Sequence, residues 1–156
     1  MSSLGGFCIS KHQQALDHQR LAALGYVFSA SVPPYLASAA STSLKIVQSD
    51  EKLRTELGKK SEYLSELFGE VVGGCGHVGI GGAGKSPVKV VFGKDLDDEE
   101  EFLNKLRVFL LDNGVFTSIV LRPRVCLPVY VTIEHSYSDL ETLSRLLFQG
   151  VRQVFV

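Results

Sequence analysis

The chain has 156 residues, 45% of them hydrophobic and 21% charged, with a formal net charge of −1. That length points to one domain, and the apolar content suffices for a packed core and excludes a disordered chain. The near-neutral balance excludes a global electrostatic drive toward nucleic acid or an anionic membrane. Cys8, Cys75 and Cys126 are far apart. They form neither a zinc spacing nor a disulfide framework, which fits a reducing compartment or a cytosol-facing surface. No run of ~18 apolar residues exists, so an ordinary membrane span is not expected within this chain. Met1 is followed by serines and glycines rather than a basic-then-apolar leader.

Residues 4–9 form a short apolar run around Gly5 and Gly6 and predict a strand. The run reads as the interior of a longer sequence. Residues 12–24 predict a turn or short helix anchored by Ala15, Leu16, Leu21 and Leu24. Asp17 and His18 are adjacent, so they do not face each other on a helix. The stretch Gly25 to Pro34 is the organising element. Its aromatic and β-branched residues meet Ser29 and Ser31, then Pro33 and Pro34. Either proline suits a first helical turn, and Pro33 keeps Val32 out of the α region. An extended segment should therefore carry Ser29 and Ser31 into a helix N-terminus. Such a junction suits an anion such as a phosphate; a plain corner with an N-cap serine is the other reading.

Residues 34–47 predict a helix of small residues, and Ser49 or Asp50 can cap a second helix over 50–68. Residues 69–84 are glycine-rich, with Val71, Val72, Val78 and Ile80 as strand positions. Residues 87–92 predict a strand with proline at its start. Five acidic residues, 97–101, load the start of a helix over 97–112. Its apolar face is Phe102, Leu103, Leu106, Phe109 and Leu110, and Asn113-Gly114 ends it. Strands follow at 115–121 and 127–133, with Pro128 suited to an edge. Ser138 and Glu141 predict a capping box for a last helix reaching Val151. The order predicts an α/β or α+β domain with its strands on one side of the helices.

Gly79 to Ser86 satisfies the formal pattern of a phosphate loop. Pro87 disfavours the helix that such a loop requires, and a strand-like run follows instead. A flexible glycine loop before a strand is the reading preferred over nucleotide binding. His12, His18, His77 and His135 lack paired metal spacing and read as surface or packing residues. Arg122 and Arg124 flank Pro123 and suit either a solvated loop or a carboxylate or phosphate contact.

Three blocks carry a family resemblance: Leu4-Gly5-Gly6-Phe7-Cys8, Asp17-His18-Gln19-Arg20-Leu21, and Gly25 through Pro34. Together they resemble the first, long-chain-base subunit of serine palmitoyltransferase, in the pyridoxal-phosphate-dependent α-oxoamine synthase family. The similarity continues through Ser86-Pro87 and the 129–134 strand to the last helix. It resembles the C-terminal third of such a subunit. The implied fold class is α/β: residues 1–48 a remnant of the large domain of a fold-type I pyridoxal-phosphate-dependent transferase with a connecting helix, and 49–156 its small domain.

The resemblance implies a subunit that is non-catalytic on its own. The family enzyme condenses L-serine with palmitoyl-CoA to 3-ketosphinganine in sphingolipid biosynthesis. Pyridoxal 5'-phosphate is held covalently by a lysine of the second subunit, at an active site between subunits. The corresponding position here would precede Met1, and Lys11 does not match it. By the same resemblance the complex is a heterodimer on the cytosolic face of the endoplasmic reticulum membrane, anchored by a region N-terminal to this chain. Ser29 and Ser31 are the implied contacts to the partner-bound phosphate, and Ala30 between them removes one donor. Pro128 falls where catalytic relatives carry the substrate-carboxylate arginine, and it has no donor. No catalytic residue, metal site or nucleic-acid partner is implied. The rival readings are a catalytic α-oxoamine synthase of another type, a nucleotide-binding module using Gly79–Ser86, and an interaction domain with no site.

Overall fold

A computed structural model describes residues 4–121 and 123–154. The chain forms two compact units, Met1–Glu51 and Lys52–Val156. In the first unit, α1 spans Gln13–Ala22, α2 Leu24–Val27 and α3 Pro34–Ser49. None of these helices has a buried residue. Leu21 and Leu24, expected as anchors, are 83% and 74% exposed. Residues 4–10 form no strand, because no described strand lies beside them to complete a ladder. Tyr26 and Val27 turn helical rather than extended, their N–H groups donating to the Ala23 carbonyl. With no sheet neighbour, β-propensity gives way to local hydrogen bonds.

The second unit contains α4 (Glu51–Gly74, its first residue outside the unit), β1 (Val78–Gly81), β2 (Val88–Gly93), α5 (Glu99–Asp112), β3 (Leu127–Tyr130) and α6 (Tyr137–Val154). The three strands form one antiparallel sheet in the order β1-β2-β3. The register pairs Val91 with both Ile80 and Leu127. By the strand pleat, those residues and Val78 share the face turned to the helices. The core joins them to Leu64 and Phe68 of α4, Leu103 and Leu106 of α5, and Leu147 and Val151 of α6. The opposite face carries Val88, Val90, Phe92, Pro128 and Tyr130.

Helix α4 runs past the expected stop at 68 to Gly74. Val71, taken as a strand position, is 3% exposed on the helix, and tertiary packing outweighs the weak helix propensity of the glycines. Helix α5 begins at Glu99, two residues later than expected, with its N-cap Asp98 accepting from the Glu101 N–H. Helix α6 is capped two residues earlier than expected. The Asp139 N–H donates to Ser136 Oγ at 3.1 Å, and the Ser136 N–H donates to the Asp139 carboxylate at 2.8 Å. Glu141 is engaged elsewhere, accepting from the Tyr63 hydroxyl of α4 at 2.6 Å. The hydrogen bonds from the Ser136 hydroxyl, then from its N–H, hold the Asp139 carboxyl below its usual range.

The segment 115–121 is not a fourth strand. It makes a single bridge, Val120 to Cys126, with both hydrogen bonds at 2.9 Å. The reason lies in β3. The Val131 N–H donates to the Pro87 carbonyl, which sets the alternation so that Leu127 and Val129 bond toward β2. Pro128 then faces outward. Extending the Val120–Cys126 register by two residues would make Ser118 and Pro128 the next mutually bonded pair, and Pro128 has no N–H to give. The Thr117 hydroxyl takes the Pro128 carbonyl instead, at 2.9 Å.

Two expectations follow from this packing. A Cβ at Gly150 of α6 would meet Phe109 Cδ1 at 2.6 Å and Leu106 Cδ1 at 2.7 Å on α5. Gly150→Ala should therefore destabilise the fold by about 1–3 kcal/mol in urea unfolding; an unchanged midpoint would show that the helices part without cost. Ser136→Ala should cost about 1 kcal/mol through its lost cap, whereas Ser138→Ala should be close to neutral. The reverse order would restore the Ser138–Glu141 box.

Candidate functional site

The junction between α2 and α3 lies within the first unit. After α2 ends at Val27, residues 28–33 are irregular and lead to Pro33, the N-cap, and Pro34, the first helical residue. Pro33 provides no side-chain cap, and no serine caps the helix, so the plain-corner reading is corrected. Pro34 lacks an N–H, and those of Leu36 and Ala37 donate to the Pro33 carbonyl. The helix therefore opens on the Tyr35 N–H, with Ser29 and Ser31 just upstream. Both serines and Ala30 are exposed. These groups suit one or two oxygens of an anion rather than a closed cradle.

The glycine pattern at Gly79–Ser86 has a different use. Gly79 and Gly81 lie in β1 opposite Phe92 and Val90. A Cβ at Gly79 would overlap the Phe92 ring, and one at Gly81 would meet Val90 Cγ2 at 2.8 Å. Gly82 turns the chain at φ +112°, a value that side-chain-bearing residues avoid. The loop then presents carbonyls rather than N–H groups. Lys89 Nζ donates to the Ala83 and Gly84 carbonyls at 2.6 and 2.8 Å. A loop that embraces an ammonium is the electrostatic opposite of one that embraces a phosphate. Lys85, the formal phosphate lysine, lies 3.7 Å from Glu62 at the surface. The nucleotide-binding reading is corrected accordingly.

Arg124 is committed within the fold. Its guanidinium carbon sits 4.0 Å from the Phe92 ring centroid, Nη2 donates to the Gly93 carbonyl at 2.9 Å, and Nε lies 3.5 Å from Glu99 Oε1. That same Glu99 oxygen accepts from the Gly93 N–H at 2.9 Å. The residue ties its loop to the end of β2, so it does not stand in for a carboxylate-binding arginine. Arg122 lies outside the described residues. His12, His18 and His77 are exposed, and His135 is half-buried, with Nδ1 accepting from the Thr132 N–H at 3.2 Å. Among the described residues no group of three His, Cys, Asp or Glu side chains could hold a metal ion.

Lys89 and Arg124 were missed as anchors by sequence reasoning. Lys89 carried a readable signal, because strand alternation over 87–92 puts it on the same face as Val91. Arg124 carried none, since its partners are remote in sequence. A pyridoxal-phosphate group finds only a partial set of partners in this chain. Lys89 and Lys60 spend their ammoniums on backbone carbonyls, Lys60 on that of Ile133 at 2.6 Å. Among the described residues, the exposed polar groups at the start of α3 are Ser29, Ser31 and the Tyr35 N–H.

The fold is that of part of a pyridoxal-phosphate-dependent transferase. A serine palmitoyltransferase from Sphingomonas wittichii superposes with a TM-score of 0.74 at 24% identity, over 99% of this chain and 38% of that one. An 8-amino-7-oxononanoate synthase from Francisella tularensis gives 0.69 at 15% identity, over 93% and 41%. By sequence, the chain is a relative of the long-chain-base proteins, as its three N-terminal blocks implied. Long chain base biosynthesis protein 1c of Oryza sativa subsp. japonica is 31% identical over 155 residues, covering 92% of this chain and 31% of the relative. A serine palmitoyltransferase of Bacteriovorax stolpii is 28% identical over 159 residues, covering 99% and 35%. The chain thus spans about a third of the length of these curated relatives. No family model matches it.

Burial lowers the Lys89 ammonium from its ordinary pKa of 10.5. Between the folded value and 10.5 the unfolded chain binds more protons than the folded one, so stability rises with pH across that window. Urea unfolding of wild type and Lys89→Met from about pH 8 upward should show the difference moving in favour of wild type. A pH-independent difference would mean that the ammonium pays no desolvation cost.

Proposed function

We propose that this chain is the C-terminal part of the first, non-catalytic subunit of serine palmitoyltransferase. In that role it supports a lysine-bearing second subunit, which holds pyridoxal 5'-phosphate covalently and condenses L-serine with palmitoyl-CoA to 3-ketosphinganine. The observation that carries the reading is Pro128. By the family resemblance it falls at the position of the substrate-carboxylate arginine of catalytic relatives, and the nearby Arg124 is already engaged by Phe92, Gly93 and Glu99. A chain without that donor fits a subunit that does not bind the reacting amino acid itself.

Two further features support an assembled state. The first unit exposes Phe7, Leu21, Leu24, Tyr26, Phe28 and Tyr35, each more than 60%, a burden typical of surfaces that a partner or further chain covers. Ser29, Ser31 and the Tyr35 N–H form an open edge suited to a phosphate held elsewhere. Residues 1–48 belong in this reading to the large domain and 49–156 to the small one. In the same reading, attachment to the cytosolic face of the endoplasmic reticulum membrane comes from a region N-terminal to this chain; no described helix here is long and apolar enough to cross a membrane.

Co-expression of the longer subunit carrying this sequence with the lysine-bearing subunit should yield a co-purifying pair; failure to associate would sink the proposal. In that pair, replacing both Ser29 and Ser31 by Ala should weaken retention of pyridoxal phosphate by about five-fold or more, at roughly 1 kcal/mol per lost hydrogen bond. The pair itself should stay intact. Unchanged cofactor retention would remove the phosphate contact while leaving the subunit assignment standing.

A further inference from the structure

A cleft of about 460 Å³ runs between α4 and α6, wholly within the second unit. Its walls are two helical stripes. On α4, Tyr63, Leu67, Glu70, Val71 and Gly74 recur at helical spacing and share one face. On α6 the stripe is Glu141, Ser144, Arg145 and Phe148. Tyr63 donates to Glu141 at 2.6 Å, the Ser144 hydroxyl reaches the Leu67 carbonyl at 3.4 Å, and a Cβ at Gly74 would meet Phe148 Cε2 at 2.7 Å. Those contacts advance together along both helices, so α4 and α6 run in the same direction. Ser144 and Gly74 are too small to fill the space between them. Val71 and Ser144, 3% and 8% exposed, are left as its floor.

Charge is segregated along this cleft. Glu70 and Glu141 line it toward Tyr63, and Glu66 lies one turn before Glu70. The hydrogen bond to Glu141, with the carboxylates of Glu66 and Glu70 nearby, raises the Tyr63 hydroxyl above its ordinary pKa of 10.0. Toward Phe148 the charged residues are Arg145 and Arg152, the second 5.4 Å from the Phe148 ring. Among the described residues, Glu66, Glu70 and Arg145 form no ion pair.

We propose that the cleft docks a short amphipathic helix of a partner protein, with aliphatic side chains on Val71 and Phe148, basic residues at the Tyr63 end and acidic residues at the Phe148 end. Two helices side by side with a gap between them form the groove that a third helix fills through its i, i+3 and i+4 side chains. The apolar floor supplies burial. The charges select the partner and its direction, because a reversed helix sets like charges together. Such a helix lies antiparallel to α4 and α6, with its acidic start at Arg145 and its basic end at Glu70 and Glu141. That order also suits its own dipole. The surface does not rest on the proposed function.

The test is a titration of the full chain with a synthetic helical peptide of roughly 15 residues, long enough to hold some helix in water. The peptide carries Leu along one face, Glu in its first half and Lys in its second. A control peptide of the same composition mixes Glu and Lys through both halves. Saturable shifts are expected in the Leu67 and Val71 methyl resonances. A nitroxide on the Lys end should broaden the Glu141 amide more than the Phe148 amide, and one on the Glu end should do the reverse. The control peptide should bind about three-fold more weakly, and Glu70→Lys should weaken the segregated peptide by about the same factor, the scale of an exposed charge pair. Ser144→Leu fills the floor and should weaken both peptides about ten-fold. Should Ser144→Leu not fold, Glu70→Lys carries the comparison. The proposal is overturned if the shifts do not saturate, if they are confined to exposed Leu21, Leu24 and Leu44 of the first unit, if the two peptides bind alike, if the labels show no preferred direction, or if the folded variants bind as wild type does.

Discussion

One missing hydrogen-bond donor organises much of the second unit. Pro128 sits in β3 with its nitrogen turned away from β2, where any further strand would need an N–H. The sheet therefore stops at three strands, although 115–121 has the apolar and β-branched composition to continue it. A single bridge at Val120–Cys126 and one hydroxyl at Thr117 hold that segment instead. In the proposed assignment, the same residue also stands in for the donor that the resemblance gives to catalytic relatives. A change that costs a chemical group thus also changes the backbone around it, because proline alters both the side chain and the ladder.

Charge in this unit is used for anchoring. Lys89 is almost fully buried yet satisfied, because the Gly81–Ser86 turn offers two carbonyls within 2.8 Å. Lys60 is bound likewise to Ile133, with Tyr137 5.9 Å from its ammonium. Arg124 lies over Phe92 and bonds the end of β2. Lys89 ties β2 to the turn before it, Lys60 ties α4 to the loop after β3, and Arg124 ties its own loop to the end of β2. Since a buried ammonium is tolerated only when its donors are met, every such residue fixes a loop in place. These three basic residues, which look available in the sequence, are therefore committed in the fold.

The sequence made the second unit legible where periodicity and caps agree. Helix α5, its Asp98 cap, its Asn113-Gly114 end and the strand after Pro87 all follow from local signals that tertiary packing reinforces. The start of α6 was misplaced because Ser138 and Glu141 mimic a capping box, while Ser136 and Asp139 form a closer one with a shorter acid. The end of α4 was misplaced because Val71 and Val72 favour strands until core packing claims Val71. The glycines of the phosphate-loop pattern were ambiguous in kind. Close strand packing and phosphate approach select the same residue, and only the structure shows Phe92 and Val90 where phosphates would be. In the first unit the Pro33–Pro34 helix start was legible from proline stereochemistry, whereas the helical turn at Leu24–Val27 was not, since its aromatic and β-branched residues favour a strand that has no neighbour among the described residues to pair with.

That contrast bears on how the Ser29–Ser31 junction must work. A helix in water without a buried face has little beyond local propensity to hold it, and α1, α2 and α3 have no buried residue among them. Pro33 and Pro34 fix the start of α3 by covalent geometry alone, so the direction in which the Tyr35 N–H points survives without a core. The serines upstream have no such constraint. Their hydroxyls gain a defined position only when the apolar side chains around them, Tyr26, Phe28 and Val32, are covered. In the proposed assembly, anion contact at this edge and burial of its apolar surroundings would then be one event: the surface that packs against the unit would also order the groups proposed to meet a phosphate.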